Sequence, residues 1–232
     1  MLYHKVPIRG NNPGMLLLRA VIGLISLACF FIVIQRIPLG SAISIRYLGP
    51  IFGAILAYYF LKEKIKPLQW LSFIIAFTGV VVLKGFDIRI DTLSLILIII
   101  SAVTVGGVFT LLRYLGTREH FLTIINYFMF ISVVVSLCFI TQWRMPIGIE
   151  WFPVISVGIT GLIGQIFMTR AFSMEAASVL APFKYMELVY ALLIGFFFFG
   201  ETYSFFAFTG IFLIISGMLL NIYAKQKQHS VK

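Results

Sequence analysis

Three polar groupings fall inside apolar stretches where a membrane tolerates charge least. Arg46-Tyr47 and Lys184-Tyr185 each set a cation beside a phenol, and Glu187 follows Lys184 by three residues. A cation next to an aromatic suits a ligand with an anionic group and an apolar or aromatic body, and a nearby carboxylate can take an amine or carry a proton. If a helix starts at 178, Glu187 lies ~14 Å into it at 1.5 Å per residue, near the middle of a bilayer core. A charge there costs roughly 2.5 kcal/mol or more unless it is paired, protonated or facing water. Lys184 and Glu187 share a helical face and could simply neutralise each other, which is the structural alternative to binding. Gln165, Asn126, Thr104 and Thr169 also interrupt apolar faces, and interhelical hydrogen bonding explains them as well as a cavity does. The expected substrate-binding residues are Arg46, Tyr47, Lys184, Tyr185, Glu187 and Gln165.

Other chemistry finds little material. His4, His120 and His229 fall in loops or tails, and Cys29 and Cys138 each lie inside an apolar run. Neither a metal cluster, a catalytic triad nor a disulfide framework is expected from them. No GxxxxGK phosphate loop occurs, so ATP-driven pumping has no support. No catalytic residue, metal or cofactor is expected, and an intramembrane enzyme would need converging acid, base or metal groups that Glu187 alone does not supply.

The elements that position these residues follow from composition. Hydrophobic residues make up 61% of the 232, aromatics 16% and charged residues 11%, with a mean hydropathy of +1.05. Soluble domains carry nearer ~25% charge. Apolar runs of spanning length fall at 15–36, 39–61, 67–84, 91–115, 121–143, 150–172, 178–199 and 204–224. They lack the strict alternation of barrel strands, and lipid leaves open sheet edges unsatisfied, so an all-α membrane protein of about eight transmembrane helices is predicted. The net charge of +10 reflects 18 Lys and Arg gathered mainly between the runs and at the ends. That is a topology signal rather than a nucleic-acid surface, and it places both termini in the cytoplasm, with 1–14 a cytoplasmic segment and 225–232 a basic tail. The N-terminal run extends well past a signal-peptide core and no cleavage site follows, so no removable signal is expected.

Arg19, Arg36, Arg113 and Arg170 near helix edges are expected to reach the interface along their own stems. Glu63 and Glu201 close their helices and are expected to set helix ends or loop contacts. Gly49-Pro50 should kink the second run. Gly23, Gly79, Gly161 and Gly217 read as close-packing positions. Trp143 and Trp151 flank an outer loop, where interfacial aromatics belong.

An offset of 138 residues, which carries Glu63 onto Glu201, brings two stretches into correspondence. It sets Gly23-Leu24-Ile25 against Gly161-Leu162-Ile163, Arg46-Tyr47 against Lys184-Tyr185, Phe60 against Phe198 and Gly79 against Gly217. The first three runs thus answer to the last three, five helices later, and an odd separation reverses insertion. The prediction is an inverted structural repeat, three helices in 15–84 and five in 91–224, with a substrate site at the pseudo-twofold.

These residues resemble the EamA-type branch of the drug/metabolite transporter superfamily. The similarity runs through Ile37-Pro38-Leu39-Gly40-Ser41-Ala42, Tyr47-Leu48-Gly49-Pro50-Ile51-Phe52, Leu61-Lys62-Glu63-Lys64, Gln69-Trp70-Leu71 and Gly79-Val80-Val81-Val82-Leu83. It continues in Ala181-Pro182, Met186-Glu187-Leu188-Val189-Tyr190, Phe199-Gly200-Glu201 and Gly210-Ile211 through Ser216-Gly217. The family has ten helices in two five-helix repeats, so the resemblance implies a chain that begins at the third. Leu188 stands where many relatives carry Pro. The resemblance implies a secondary transporter moving a small metabolite or drug across the plasma (inner) membrane by alternating access. The second reading is a truncated, non-transporting membrane subunit that needs a partner. The partners implied are a small-molecule substrate, the lipid bilayer and a homodimer mate, with no nucleic acid.

Overall fold

The computed structural model describes residues 9–61, 65, 67–86, 90–142, 144–174, 187 and 190–229. Helices dominate: α1 (Pro13–Val33), α2 (Leu39–Arg46), α3 (Gly49–Leu61), α4 (Pro67–Phe86), α5 (Thr92–Gly116), α6 (Phe121–Cys138), α7 (Trp151–Met174), α8 (Tyr190–Phe199) and α9 (Phe205–His229). The described residues contain no strand. Six stretches are long and apolar enough to cross a membrane: α1, α2 with α3 as one interrupted span, α5, α6, Gly148–Ala171 and Phe205–Ala224. The other two predicted runs appear as shorter apolar helices, Pro67–Leu83 and Tyr190–Phe199. The second run is broken where Gly49-Pro50 was expected to bend it, because Pro50 has no N–H to offer the preceding turn.

Two compact units make up the chain, and the division falls within α1 after Leu24 and within α5 after Thr110. In the first unit (1–24 and 111–175), the buried Glu119 carboxylate accepts the backbone N–H groups of Asn11 at 2.7 Å and Asn12 at 2.6 Å. This satisfies orphan donors at the start of α1 and sets a negative charge at its positive end. The Tyr127 hydroxyl donates to the Arg9 carbonyl at 2.7 Å, holding the same segment. Gly10 turns the chain there with φ +65°, a backbone conformation that favours glycine.

Two expectations fail in this unit. Arg19 does not reach an interface: it is 1% exposed, stacked 4.7 Å from the Phe128 ring centroid and donating to Gln165 at 3.2 Å. Its stem runs among packed helices, so the guanidinium finds protein before it finds water. Gly161 is not a packing position either. A Cβ there, or on Gly158 or Gly164, meets nothing within 4 Å, since that face of α7 is exposed.

In the second unit (25–110 and 176–232), the antiparallel pair α4 and α9 packs most extensively. A Cβ on Gly79 would lie 2.7 Å from Gly210 O and from Ile214 N, and one on Gly217 would lie 2.7 Å from Ser72 O and from Ala76 N. The offset of 138 turns Gly79, Gly210 and Ile214 into Gly217, Ser72 and Ala76, so the crossing is symmetric in the register read from the sequence. Gln69 Nε2 donates to Asn221 Oδ1 at 3.1 Å at one end of this crossing. Helices α1 and α5 are tied by Ser26 and Ser101, each hydroxyl donating to the other's carbonyl at 2.9 and 2.8 Å. The apolar core of the unit gathers Leu48, Ile51, Phe73, Ile98, Ile211 and Ile214.

Candidate functional site

Helix α2 is short, and Gly40 through Ile45 are all buried. Its first turn is capped from across the unit. Glu201 Oε1 accepts the Leu39 N–H at 2.8 Å, the Gly40 N–H donates to the Tyr203 hydroxyl at 3.1 Å, and that hydroxyl donates to Glu201 Oε2. Glu201 thus serves the helix-end role expected of it, whereas Glu63 lies outside the described residues. Arg46 occupies the last turn of α2, where a cation complements the negative end of the helix dipole.

Beyond Arg46 the helix stops, and Tyr47 and Leu48 pass the chain to α3. Helix α3 lies directly on α5 because glycine faces glycine. A Cβ on Gly106 would stand 2.6 Å from Gly49 O and from Gly53 N. The Thr110 hydroxyl donates to the Gly53 carbonyl at 3.2 Å and holds the contact. This close approach brings Val105 and Phe109 of α5 to the helix break.

A narrow cleft opens at that break, lined by Ile43, Arg46, Tyr47, Pro50, Val105, Phe109 and Glu187, with a volume of about 20 Å³, room for one water-sized group. The Arg46 guanidinium carbon sits 4.4 Å from the centroid of the Phe30 ring, and its Nε has no hydrogen-bond partner among the described residues. Glu187 is exposed on the same cleft. A cation, a carboxylate and two aromatic rings therefore border one small space.

The structure thus brings together three of the residues singled out from sequence, Arg46, Tyr47 and Glu187. Lys184 and Tyr185 lie outside the described residues. Gln165 belongs to the other unit, where it accepts from Arg19. Thr104 is used locally, its hydroxyl donating to Ile100 O at 2.7 Å within α5. Sequence reasoning missed Phe30 and Phe109; among 24 phenylalanines no spacing marks those two. Among the described residues no group of His, Cys, Asp or Glu stands placed to hold a metal ion.

The sequence model of the EamA-like transporter family matches residues 2–84 and 92–223. This chain belongs to the EamA-like transporter family. Similar proteins include the pseudopaline exporter CntI of Pseudomonas aeruginosa, 30% identical over 190 residues that make up 81% of this chain and 67% of the exporter. The S-adenosylmethionine uptake transporter of Rickettsia felis is 26% identical over 99% of this chain and 79% of its own. Solute carrier family 35 member G1 of Homo sapiens is 29% identical over 80% of this chain and 56% of its own. A crystal structure superposes with a TM-score of 0.66 at 19% identity, covering 97% of this chain and 82% of that one, and so shares the fold. The EamA-like chain is a multi-pass membrane protein, a secondary transporter of small metabolites.

Proposed function

We propose that the cleft at the break between α2 and α3 is the substrate site, and that its ligand is a small metabolite carrying an anionic group and an amine. Arg46 takes the anion, Glu187 takes the amine or a proton, and Tyr47 with Phe109 covers the apolar part. The observation that carries this reading is the shared cleft itself, with Arg46 and Glu187 on one space and the Arg46 Nε unpaired among the described residues. A buried donor without a partner costs about 1–3 kcal/mol, which a bound anion would recover.

Transport runs by alternating access across the plasma (inner) membrane, with both termini cytoplasmic and the substrate released unmodified. The symmetric crossing of α4 and α9 supports an inverted repeat of three and five helices, the architecture in which two arrangements of equivalent elements open a site to either side. In that repeat Lys184 and Tyr185 are the counterparts of Arg46 and Tyr47.

The test is a thermal-unfolding screen of the purified chain against amino acids, nucleotides, vitamins and cationic drugs, with Arg46→Met alongside. A ligand that binds only the folded state at about 100 times its dissociation constant adds ~2.7 kcal/mol of stability. Stabilisation by a zwitterionic compound that disappears in Arg46→Met is the expected result. Stabilisation unchanged by Arg46→Met would remove the substrate from this cleft.

A further inference from the structure

Arg19 stands in the first unit and has no role in the cleft. It lies on the α1 span at 1% exposure, yet it has no carboxylate partner among the described residues. Its Nη2 donates to Gln165 Oε1 at 3.2 Å and its guanidinium faces Phe128 at 4.7 Å. Its Nε and Nη1 have no hydrogen-bond partner among the described residues. A buried cation needs a counter-charge, and an aromatic face with one amide oxygen supplies only part of one.

We infer that Arg19 and Gln165 form a second binding site, one for a monocarboxylate. The donors set the chemistry. Two guanidinium nitrogens remain for an acceptor, and because Gln165 spends its oxygen on Arg19, its amide nitrogen can donate to the same ligand. One arginine balances one negative charge, so a monoanion leaves the surroundings neutral, whereas a doubly charged phosphate would leave a buried excess. A carboxylate matches the planar guanidinium, and Phe128 favours a ligand with an apolar body. Since both unpaired nitrogens are sealed from solvent, the ligand enters when the helices around Arg19 part, as they do in a carrier that alternates between open and occluded states.

The experiment uses the full chain in lipid nanodiscs and follows the unfolding midpoint in acetate, benzoate and phosphate against chloride at equal ionic strength. Wild type and Arg46→Met are expected to gain a saturable stabilisation from acetate and more from benzoate. In the Arg46→Met background, where the cleft no longer takes an anion, Arg19→Gln loses it, and Arg19→Lys or Gln165→Leu weakens the apparent affinity about tenfold, the scale of one charge-assisted hydrogen bond. Should Arg19→Gln fail to fold, the other two variants decide. The site is overturned by a flat response in wild type, by equal responses in wild type and the Arg19 and Gln165 variants, or by phosphate outcompeting the carboxylates. A response lost in Arg46→Met and kept in Arg19→Gln also overturns it, and would leave the cleft as the only anion site.

Discussion

Glu201 and Arg46 stand at opposite ends of one buried helix, the carboxylate on the Leu39 N–H at 2.8 Å and the guanidinium in the last turn. Each charge complements the dipole end beside it, negative at the start of α2 and positive at its close. The arrangement fixes α2 along its axis and thereby the depth of Arg46 in the cleft. Position of the Arg46 cation is thus set from a loop 162 residues beyond Leu39 in sequence.

Removing the cap should therefore be felt in stability. Glu201→Ala is expected to cost about 1–2 kcal/mol, the upper range for loss of a helix N-cap. Tyr203→Phe, which removes the hydroxyl that accepts the Gly40 N–H, should cost about 1 kcal/mol. Because the two side chains also bond each other, the double variant should miss additivity by more than about 0.5 kcal/mol. Denaturant or thermal unfolding of the four proteins checks this, and strict additivity would mean the caps act separately.

The symmetric crossing makes a sharper demand. A methyl group on Gly79 or on Gly217 meets backbone atoms at 2.7 Å, and backbone cannot swing aside as a side chain does. Gly79→Ala and Gly217→Ala should each destabilise by about 1–3 kcal/mol, as overpacking does, and by amounts within about 0.5 kcal/mol of each other. Gly161→Ala, mid-helix with open space around it, should instead stabilise by about 0.5–1 kcal/mol, the helix preference of alanine over glycine. Unequal costs at Gly79 and Gly217 would argue against a true pseudo-twofold there.

Phe30 supports Arg46 by a stacked face at 4.4 Å. Phe30→Leu keeps the volume but loses the ring, so the anion's affinity should fall by about 1–2 kcal/mol, roughly five- to thirty-fold in KM with the maximal rate kept. Phe30→Tyr should restore it. The readout is concentration-dependent flux in proteoliposomes, and a drop in maximal rate at constant KM would contradict a binding role.

How far the sequence leads depends on the range of each interaction. Helix positions come from runs of apolar residues and from Gly49-Pro50, which are local signals, and among the described residues they agree with the structure. The packing contacts at Gly79 and at Gly217 were legible because an internal repeat writes the same packing surface twice. Arg46 and Tyr47 stood out as polar letters in an apolar run. The partners were not legible. Nothing near Arg19 in sequence announces Phe128 or Gln165, 146 residues distant, so the rule that arginines reach the interface gave the wrong answer for it. Phe30 and Phe109 were lost among many phenylalanines for the same reason, since only the approach of α1 to α2 and of α5 to α3 selects them.

Glu187 offers a charge test. If its carboxylate takes the amine, Glu187→Gln should raise KM for an amine-bearing substrate about tenfold, the scale of one charge-assisted hydrogen bond, while leaving the protein folded. Flux across a substrate-concentration series checks this, and an unchanged KM in the variant would place the amine elsewhere.

The most direct measurement is uptake of a radiolabelled ligand from the stability screen into proteoliposomes containing wild type or Arg46→Met, with the accumulated label identified chemically. Saturable accumulation of unmodified compound by wild type is expected, with a loss of about tenfold or more in kcat/KM for Arg46→Met, the value of a buried charge-assisted contact. Equal transport by the two proteins, or label recovered as a chemically altered product, would contradict it.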